Sequence, residues 1–185
     1  MTTIMIDAGH GPNTAGKRSP DGALKEFSFN NAVAHLVKRY LTAEGITVLF
    51  AHNEQTDVPL VTRTKLANQR NVDAFVSIHA NAYGNGWNNA NGIETYVYPN
   101  AMKQSIALAT LTQKALILAC KRRNRGVKKA NFAVLRDTRM SAILIECGFM
   151  TNREEAALLL SSTYRQQCAQ AIASAITTWI HRGKR

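Results

Sequence analysis

Short apolar runs rich in β-branched residues alternate along the chain with longer segments in which apolar residues recur at helical spacing. The runs have the length of strands, and the intervening segments are long enough to form the crossover helices that connect parallel strands. The predicted strands are residues 3–7, 47–51, 74–78, 93–98, 132–135 and 142–147. This alternation predicts an α/β protein with a mainly parallel, twisted six-stranded sheet flanked by helices.

The first long segment shows the helical period most clearly, because its apolar residues fall on one face of a helix. These residues are Phe29, Val33, Leu36, Val37, Tyr40 and Leu41. We expect this helix to begin near Phe27 and to end before Gly45. Further helices are predicted over residues 62–71, 104–123, 153–160 and 163–180. Because the sequence contains neither an internal repeat nor a linker, residues 1–180 form a single predicted domain, followed by a basic tail at residues 181–185.

The chain is strongly basic, with a formal net charge of +11 and a pI near 10.0. This charge favours binding to polyanions, and the anionic polymers of a bacterial wall are candidate partners. Residues 121–129 concentrate the charge, and we interpret them as a solvated helix end. We find no nucleic-acid-binding motif and no apolar run of membrane-spanning length. We therefore expect no nucleic-acid partner and no membrane insertion, and we expect a monomer.

The cysteines and the amino terminus bear on the compartment. Cys120, Cys147 and Cys168 are odd in number and widely spaced, which predicts free thiols rather than a disulfide framework or a thiolate zinc site. The amino terminus lacks the basic region and long apolar stretch of a secretory signal. We therefore expect synthesis in the cytoplasm without a signal peptide, and contact with an external substrate only after lysis or release.

Three titratable residues lie at or near the carboxyl ends of predicted strands. His10 follows the first strand, His79 follows the third, and Glu146 lies within the last. Ligands bind at this edge of an open α/β sheet. A fourth residue, Glu26, precedes the first helix, where the helix dipole favours a carboxylate. We expect these four side chains to converge.

Two imidazoles and one carboxylate form a ligand set of hydrolytic zinc sites, in which a fourth position is left for water. His10, Glu26 and His79 fit that set, so Zn²⁺ is the predicted cofactor. A carboxylate that is buried beside the metal without binding it has a raised pKa and can act as a general acid and base. Glu146 is the candidate for this catalytic role. The alternative for each residue is a structural role, since single histidines near strand ends and acidic residues at helix starts are common.

Three other residues with reactive side chains are interpreted as structural. His35 lies off the apolar face of its helix, and His52 begins a polar turn. Cys147 follows Glu146, so strand alternation points its thiol to the opposite face of the sheet and into the core.

Two loops that follow predicted strands, residues 9–22 and 81–92, are rich in small and polar residues. Loops at that edge of a sheet often carry function. In the second loop, Asn81, Tyr83 and Trp87 are candidate substrate-binding residues. The alternative is that this loop is only a flexible turn.

Four short motifs resemble those of the zinc-dependent N-acetylmuramoyl-L-alanine amidases of sporulation, cell separation and phage lysis. They are IDAGHG at residues 6–11, KEF at 25–27, SIHAN at 77–81 and IECGFMTN at 145–152. The resemblance covers essentially the whole chain and implies a phosphorylase/hydrolase-like sheet, zinc held by His10, Glu26 and His79, and Glu146 as the catalytic carboxylate. It also implies a peptidoglycan hydrolase, such as an endolysin or autolysin, that acts on the cell wall. In this family zinc-activated water cleaves the amide bond between the lactyl group of N-acetylmuramic acid and L-alanine of the stem peptide.

Two other functions stay open at this point. A zinc carboxypeptidase-like peptidase would use a similar metal set, but it requires an arginine and a tyrosine that bind a terminal carboxylate, and the sequence identifies neither. A non-catalytic module that binds polyanions or the cell wall would explain the charge. It would leave Glu146 and the two histidines unexplained.

Overall fold

The computed structural model describes residues 2–183, so Met1, Lys184 and Arg185 lie outside the described residues. The last two belong to the predicted basic tail. Residues 181–183 of that tail are part of the final helix, which continues through Gly183, past its predicted end at residue 180.

Strands and helices alternate along the chain, and most of them lie close to their predicted positions. The strands are β1 (Thr3–Ala8), β2 (Thr47–Phe50), β3 (Ala74–Asn81), β4 (Ile93–Val97), β5 (Asn124–Lys129) and β6 (Ser141–Phe149). The helices are α1 (Glu26–Ala43), α2 (Leu60–Arg70), α3 (Lys103–Cys120), α4 (Ala133–Arg136), α5 (Arg153–Leu160) and α6 (Ser162–Gly183). The helix predicted over residues 153–160 has the same limits as α5.

The strands form one six-stranded sheet in the order β2-β1-β3-β6-β4-β5. All neighbouring pairs are parallel except β4 and β6, which are antiparallel. The structure therefore confirms the predicted single-domain α/β fold, with a mixed, mostly parallel sheet flanked by helices. Its central strands β1, β3 and β6 are parallel, so their carboxyl ends lie at one edge of the sheet.

Alternate residues of the central strands belong to two apolar clusters, one on each face of the sheet. The larger cluster contains Ile6 and Ile145 together with residues of α1, α3 and α6. The smaller cluster contains Met5, Phe75 and Leu144 and is covered by α2 and α4. Burial on both faces explains why the strands read as nearly continuous apolar runs in the sequence.

The predicted strand at residues 132–135 is wrong, because Ala133–Arg136 forms the short helix α4. Val134 and Leu135 are buried in the smaller cluster, which accounts for the apolar character of this run. A run of four residues carries too little periodicity to separate a helical turn from a strand. The apolar pattern therefore marked a buried segment correctly but not its conformation.

The sixth strand is instead β5, which lies within the basic run at residues 121–129. The interpretation of this run as a helix end is wrong, since α3 ends at Cys120 and Lys121 has a left-handed backbone with φ of 51°. Among the strands that the structure describes, β5 lies at the edge of the sheet and pairs with β4 alone. The outer side of an edge strand is not covered by another strand, so lysines and arginines are tolerated there. Because of these residues the segment lacks the apolar pattern by which strands are predicted.

The cysteines agree with the prediction of free thiols. All three are buried and none forms a disulfide. Cys147 lies in the larger apolar cluster, on the face of β6 opposite to Glu146, as strand alternation predicted. Among the described residues, no helix combines the length and the apolar character that a membrane crossing requires.

Candidate active site

The four predicted site residues are brought to one edge of the sheet by β1, β3, β6 and α1. His10 lies just after β1, and Glu26 is the first residue of α1. His79 and Glu146 are register partners on the parallel strands β3 and β6. The convergence expected from the sequence is therefore present in the fold.

His10, Glu26 and His79 form a compact group of potential metal ligands. One donor atom from each lies within 4.8 Å of the other two. Nε2 of His10 is 3.1 Å from Oε2 of Glu26, and Nδ1 of His79 is 3.0 Å from Oε1 of Glu26. The carboxylate thus lies between two ring nitrogens, and this donor set fits a three-ligand zinc site with one open position.

Glu26 is held in an ionised form by its surroundings. Its side chain is buried, and burial alone raises a carboxyl pKa. Hydrogen bonds to His10 and His79 outweigh this effect and lower the pKa of Glu26 to about 2. Oε1 of Glu26 also accepts hydrogen bonds from the backbone N–H of Ala80 and from the side chain of Asn30. The carboxylate is therefore fixed in the charged state that metal binding requires.

The loop after β1 has a backbone shaped to bring His10 to Glu26. Gly9 packs directly against the His79 ring, and a Cβ added at Gly9 would lie 2.0 Å from Cε1 of that ring. His10 itself has a φ of 65°, a left-handed conformation that is uncommon for residues other than glycine. Close backbone approach at Gly9 and the turn at His10 together place two imidazoles side by side, with ring centroids 5.1 Å apart.

Glu146 lies beside this group without belonging to it. It is half-buried, and its Oε2 atom is buried and has no hydrogen-bond partner within residues 2–183. Burial raises the pKa of Glu146 well above its ordinary value, and the negative charges of Glu26 and Glu94 raise it further. An unpaired, proton-accepting carboxylate next to a potential metal site agrees with the predicted environment of a general acid and base.

A cavity of about 510 Å³ opens over these residues. His10, His79 and Glu146 are among the residues that line it, and Lys17 contributes a cation to the lining. The walls are largely apolar and come from the start of α2 and from α4. The misassigned segment at residues 132–135 thus forms one side of the cavity, which can receive a substrate with both polar and apolar parts.

The three candidate substrate-binding residues are not among those that line this cavity. Asn81 donates a hydrogen bond from Nδ2 to Oε1 of Glu94, and Trp87 lies under the guanidinium of Arg153. Tyr83 is 70% exposed. Asn81 thus binds the buried carboxylate of Glu94. A role of Asn81, Tyr83 and Trp87 in binding substrate stays a prediction.

Glu94 is a buried charged residue that sequence reasoning did not select. It faces Glu146 across the antiparallel pair β4 and β6 and is 2% exposed. Burial raises its pKa, but hydrogen bonds from Lys128, Arg125 and Tyr96 outweigh that effect and keep the pKa below its usual value. The signal in the sequence was an acidic residue at the second position of an apolar strand. Glu94 anchors the basic edge strand to the sheet next to Glu146.

A second missed group consists of Arg63, Asp7 and Ser77. Arg63 is 2% exposed and donates to Oδ1 of Asp7 at 2.6 Å and to the backbone carbonyls of Ala8, His10 and Val58. Ser77 donates to Oδ2 of Asp7 at 2.7 Å and contacts Nε2 of His79 at 3.0 Å. This network ties α2 and the loop of His10 to the carboxyl ends of β1 and β3.

The histidines that were interpreted as structural lie away from the cavity lining. His52 is buried, and its Nδ1 accepts a hydrogen bond from the backbone N–H of Ala8. Burial lowers the pKa of His52 to about 4, so this ring is neutral at physiological pH. His35 is exposed and pairs with Glu54. Both side chains thus have the structural partners that their interpretation requires.

Comparisons with known proteins agree with this geometry. The sequence model of the N-acetylmuramoyl-L-alanine amidase family matches residues 4–178. The N-acetylmuramoyl-L-alanine amidase CwlM of Bacillus licheniformis is 33% identical over 179 residues, which are 95% of this chain and 68% of CwlM. The crystal structure of an N-acetylmuramoyl-L-alanine amidase from Clostridium difficile 630 is 36% identical, with a TM-score of 0.92 and coverage of 97% of both chains. The catalytic domain of CwlV, an N-acetylmuramoyl-L-alanine amidase from Bacillus (Paenibacillus) polymyxa var. colistinus, is 34% identical, with a TM-score of 0.90 and coverage of 98% of this chain and 99% of that one. This chain therefore belongs to the family of N-acetylmuramoyl-L-alanine amidases.

Proposed function

We propose that this protein is a zinc-dependent peptidoglycan amidase. It hydrolyses the amide bond between the lactyl group of N-acetylmuramic acid and L-alanine of the stem peptide. The observation that carries the proposal is the group of His10, Glu26 and His79, whose donor atoms lie within 4.8 Å of one another. Beside this group lies Glu146, whose Oε2 has no hydrogen-bond partner in the described part of the chain. Membership of the amidase family supports the same function.

The donor chemistry supports zinc as the cofactor. His10 through Nε2 and His79 through Nδ1 would hold the ion, because these two nitrogens face Glu26. Glu26 supplies a carboxylate that stays ionised near neutral pH, since its pKa is about 2. When bound, zinc supplies Lewis-acid activation of water and of the scissile carbonyl. The remaining chemistry belongs to the side chains of the chain itself.

Glu146 would perform both proton transfers. Its burial and the nearby charges of Glu26 and Glu94 raise the affinity of its carboxylate for a proton, so it can take one from the attacking water. It then returns this proton to the departing nitrogen of L-alanine, which is otherwise too basic to leave. The half-buried position of Glu146 in the cavity leaves room for substrate above it while limiting solvent around its carboxylate.

The test combines metal analysis with a turbidity assay on isolated cell walls. We expect purified protein to contain one zinc ion and to clear walls until a chelator removes the metal. Glu146→Gln should keep the zinc and lose at least about 100-fold in rate, the lower range for loss of a general acid and base. Wall clearance by this variant at the parent rate, or full activity after complete metal removal, would contradict the mechanism.

Product analysis separates this activity from that of a zinc carboxypeptidase-like peptidase. The amidase releases a free amino group on L-alanine, whereas a carboxypeptidase releases a terminal residue. Membership of the amidase family favours the first outcome. Release of a terminal amino acid without new L-alanine amino groups would favour the second.

We further propose that exposed cations on and around β5 hold the enzyme near anionic wall polymers. Lys121, Arg123 and Lys129 are exposed and form no ion pair with the acidic side chains of the described residues. Interactions between exposed charges are screened over about 8 Å at physiological salt. Binding to intact walls should therefore weaken as salt increases, and binding that is unchanged at high salt would contradict this role.

A further inference from the structure

We infer that Ser77 and Asp7 are positioning residues that select which ring nitrogen of His79 is free to bind the metal. The inference rests on the zinc site proposed above. It assigns a role to two buried polar residues that line the sheet below the site and that have no part in the proposed reaction. Ser77 is fully buried and Asp7 is 1% exposed, so both polar groups were desolvated when the chain folded.

The fold places these residues in one row on the same face of the sheet. Asp7 and Ser77 are register partners on the parallel strands β1 and β3. Ser77 and His79 are two residues apart on β3, so their side chains point to the same face. Oγ of Ser77 is 2.7 Å from Oδ2 of Asp7 and 3.0 Å from Nε2 of His79. The opposite nitrogen of His79, Nδ1, faces Glu26 and the proposed metal position.

The direction of this hydrogen-bond chain follows from the donors that are present. Arg63 donates to Oδ1 of Asp7, and an ionised carboxylate has only acceptors. The single hydrogen of the Ser77 hydroxyl therefore goes to Oδ2 of Asp7. Toward His79 the hydroxyl can then only accept, so the hydrogen between them must be on Nε2 of His79.

This direction fixes the form of His79 that a metal requires. A neutral imidazole carries one hydrogen, and if that hydrogen is on Nε2, the lone pair is on Nδ1. Nδ1 is the nitrogen that points toward Glu26 and the proposed metal position. A metal bound there would take the place of the hydrogen that links Nδ1 to Glu26 in the structure, and the hydrogen on Nε2 would stay with Ser77. Outer hydrogen-bond partners of this kind orient histidine ligands, and their loss typically weakens metal affinity by about 10–100-fold.

The first test is Ser77→Ala, which removes the link while leaving the ion pair of Asp7 and Arg63 intact. Zinc affinity of the purified full chain is measured by competition with a chromophoric chelator, and thermal unfolding is measured without metal. We expect zinc affinity to fall about 10–100-fold. The matched control is Ser105→Ala, a buried serine whose hydroxyl accepts from the backbone N–H of Ala142, and its zinc affinity should stay within about twofold of the parent value.

A double-mutant cycle with Asp7→Asn distinguishes a directed chain from simple packing. The amide oxygen of Asn would face Arg63, so its NH₂ would donate to Ser77 and turn the serine hydrogen toward Nε2 of His79. Nδ1 would then carry the hydrogen, and we expect zinc affinity to fall by at least about 10-fold. In the Ser77→Ala background the same change should cost less than about twofold, because the chain is already broken.

Every outcome of these zinc-affinity measurements either supports or overturns the role of Ser77 and Asp7. A Ser77→Ala variant with zinc affinity within about twofold of the parent overturns the inference, as do losses that simply multiply in the double variant. Where Asp7→Asn fails to fold, the comparison of Ser77→Ala with the parent and with Ser105→Ala decides alone. If the parent protein binds no zinc, the proposed function fails and the inference fails with it. If the parent binds zinc and Ser77→Ala binds it equally well, only the inference fails.

Discussion

Arg63 is the buried charge whose loss should affect stability most, and the change Arg63→Met should lower the free energy of unfolding. Its guanidinium is 2% exposed and pairs with Asp7, whose side chain is equally buried. Its remaining hydrogens satisfy backbone carbonyls of Ala8, His10 and Val58. Methionine fills similar space but donates nothing, so the variant leaves one buried carboxylate and several carbonyls without their donor.

The size of the effect follows from these contacts. Removal of one partner from a buried ion pair costs about 3–5 kcal/mol, because the other charge is left uncompensated. Carbonyls near the cavity regain some hydrogen bonding from water, so their loss adds little to that value. We therefore expect the free energy of unfolding to fall by about 4 kcal/mol, a large fraction of the 5–15 kcal/mol that is typical of a domain.

Urea unfolding, followed by circular dichroism in the presence of a chelator, measures this loss without a contribution from metal binding. The matched control is Arg136→Met, because Arg136 pairs with Asp137 at the surface, with both side chains more than 40% exposed. Exposed pairs contribute less than about 1 kcal/mol. The double variant Arg63→Met/Asp7→Asn should recover part of the loss, since it removes the unpaired charge. A loss of less than about 1 kcal/mol for Arg63→Met, equal to that of the control, would refute the reasoning.

Three further predictions concern the site and its surroundings. Gly9→Ala should weaken zinc binding at least about 10-fold, because its Cβ would displace the His79 ring, whereas Gly86→Ala, with open space around its Cβ, should leave the zinc affinity measured by chelator competition unchanged. The free energy of unfolding should fall as pH decreases from about 6.5 to about 4 by up to about 3 kcal/mol, because unfolded His52 takes up a proton that the folded protein excludes. Urea unfolding of His52→Gln should show a smaller loss across that window, and equal slopes would contradict the assignment. Tyr83→Ser should raise KM for wall fragments while metal content stays constant, and an unchanged KM would remove Tyr83 from the binding surface.

The site residues could be predicted from the sequence because their chemistry is tied to strand ends. A histidine just after β1 and another near the end of β3 must come together when the two strands are parallel neighbours. Glu146 could be selected as a candidate because burial of an ionised carboxylate within an apolar strand costs several kcal/mol unless it is paired or protonated. Glu26 depended on the start of α1, which the helical period located to within one residue.

The sheet edge was harder to predict, since β5 is exposed and basic. Pairing with β4 stabilises this segment. The buried carboxylate of Glu94 on β4 also forms ion pairs with Arg125 and Lys128 of β5. Neither contact leaves an alternating apolar pattern in the sequence. The four-residue apolar run at 132–135 offered a stronger but misleading signal, because its buried residues belong to a single helical turn.

The network of Arg63, Asp7 and Ser77 depends on register, which sequence patterns do not specify. Each residue looked like an ordinary polar interruption within a predicted strand or helix. Only the pairing of Asp7 with Ser77 across β1 and β3, and the approach of α2 to that face, brings the three together. A signal was nevertheless present, since Arg63 shares a helical face with the buried residue Ala67.

The apolar core also determines the direction in which the carboxylate of Glu146 points. On β6, Ile145 and Cys147 belong to the larger cluster, whereas Leu144 lies on the face of Glu146. Because side chains alternate along a strand, a register shift of one residue would bury the carboxylate among aliphatic side chains and turn the thiol toward the cavity. Burial of an unpaired charge costs several kcal/mol, so the shifted register is strongly disfavoured. The hydrophobic pattern that predicted the fold therefore also places Glu146 beside the potential metal ligands, although its Oε2 atom forms no hydrogen bond with any described residue.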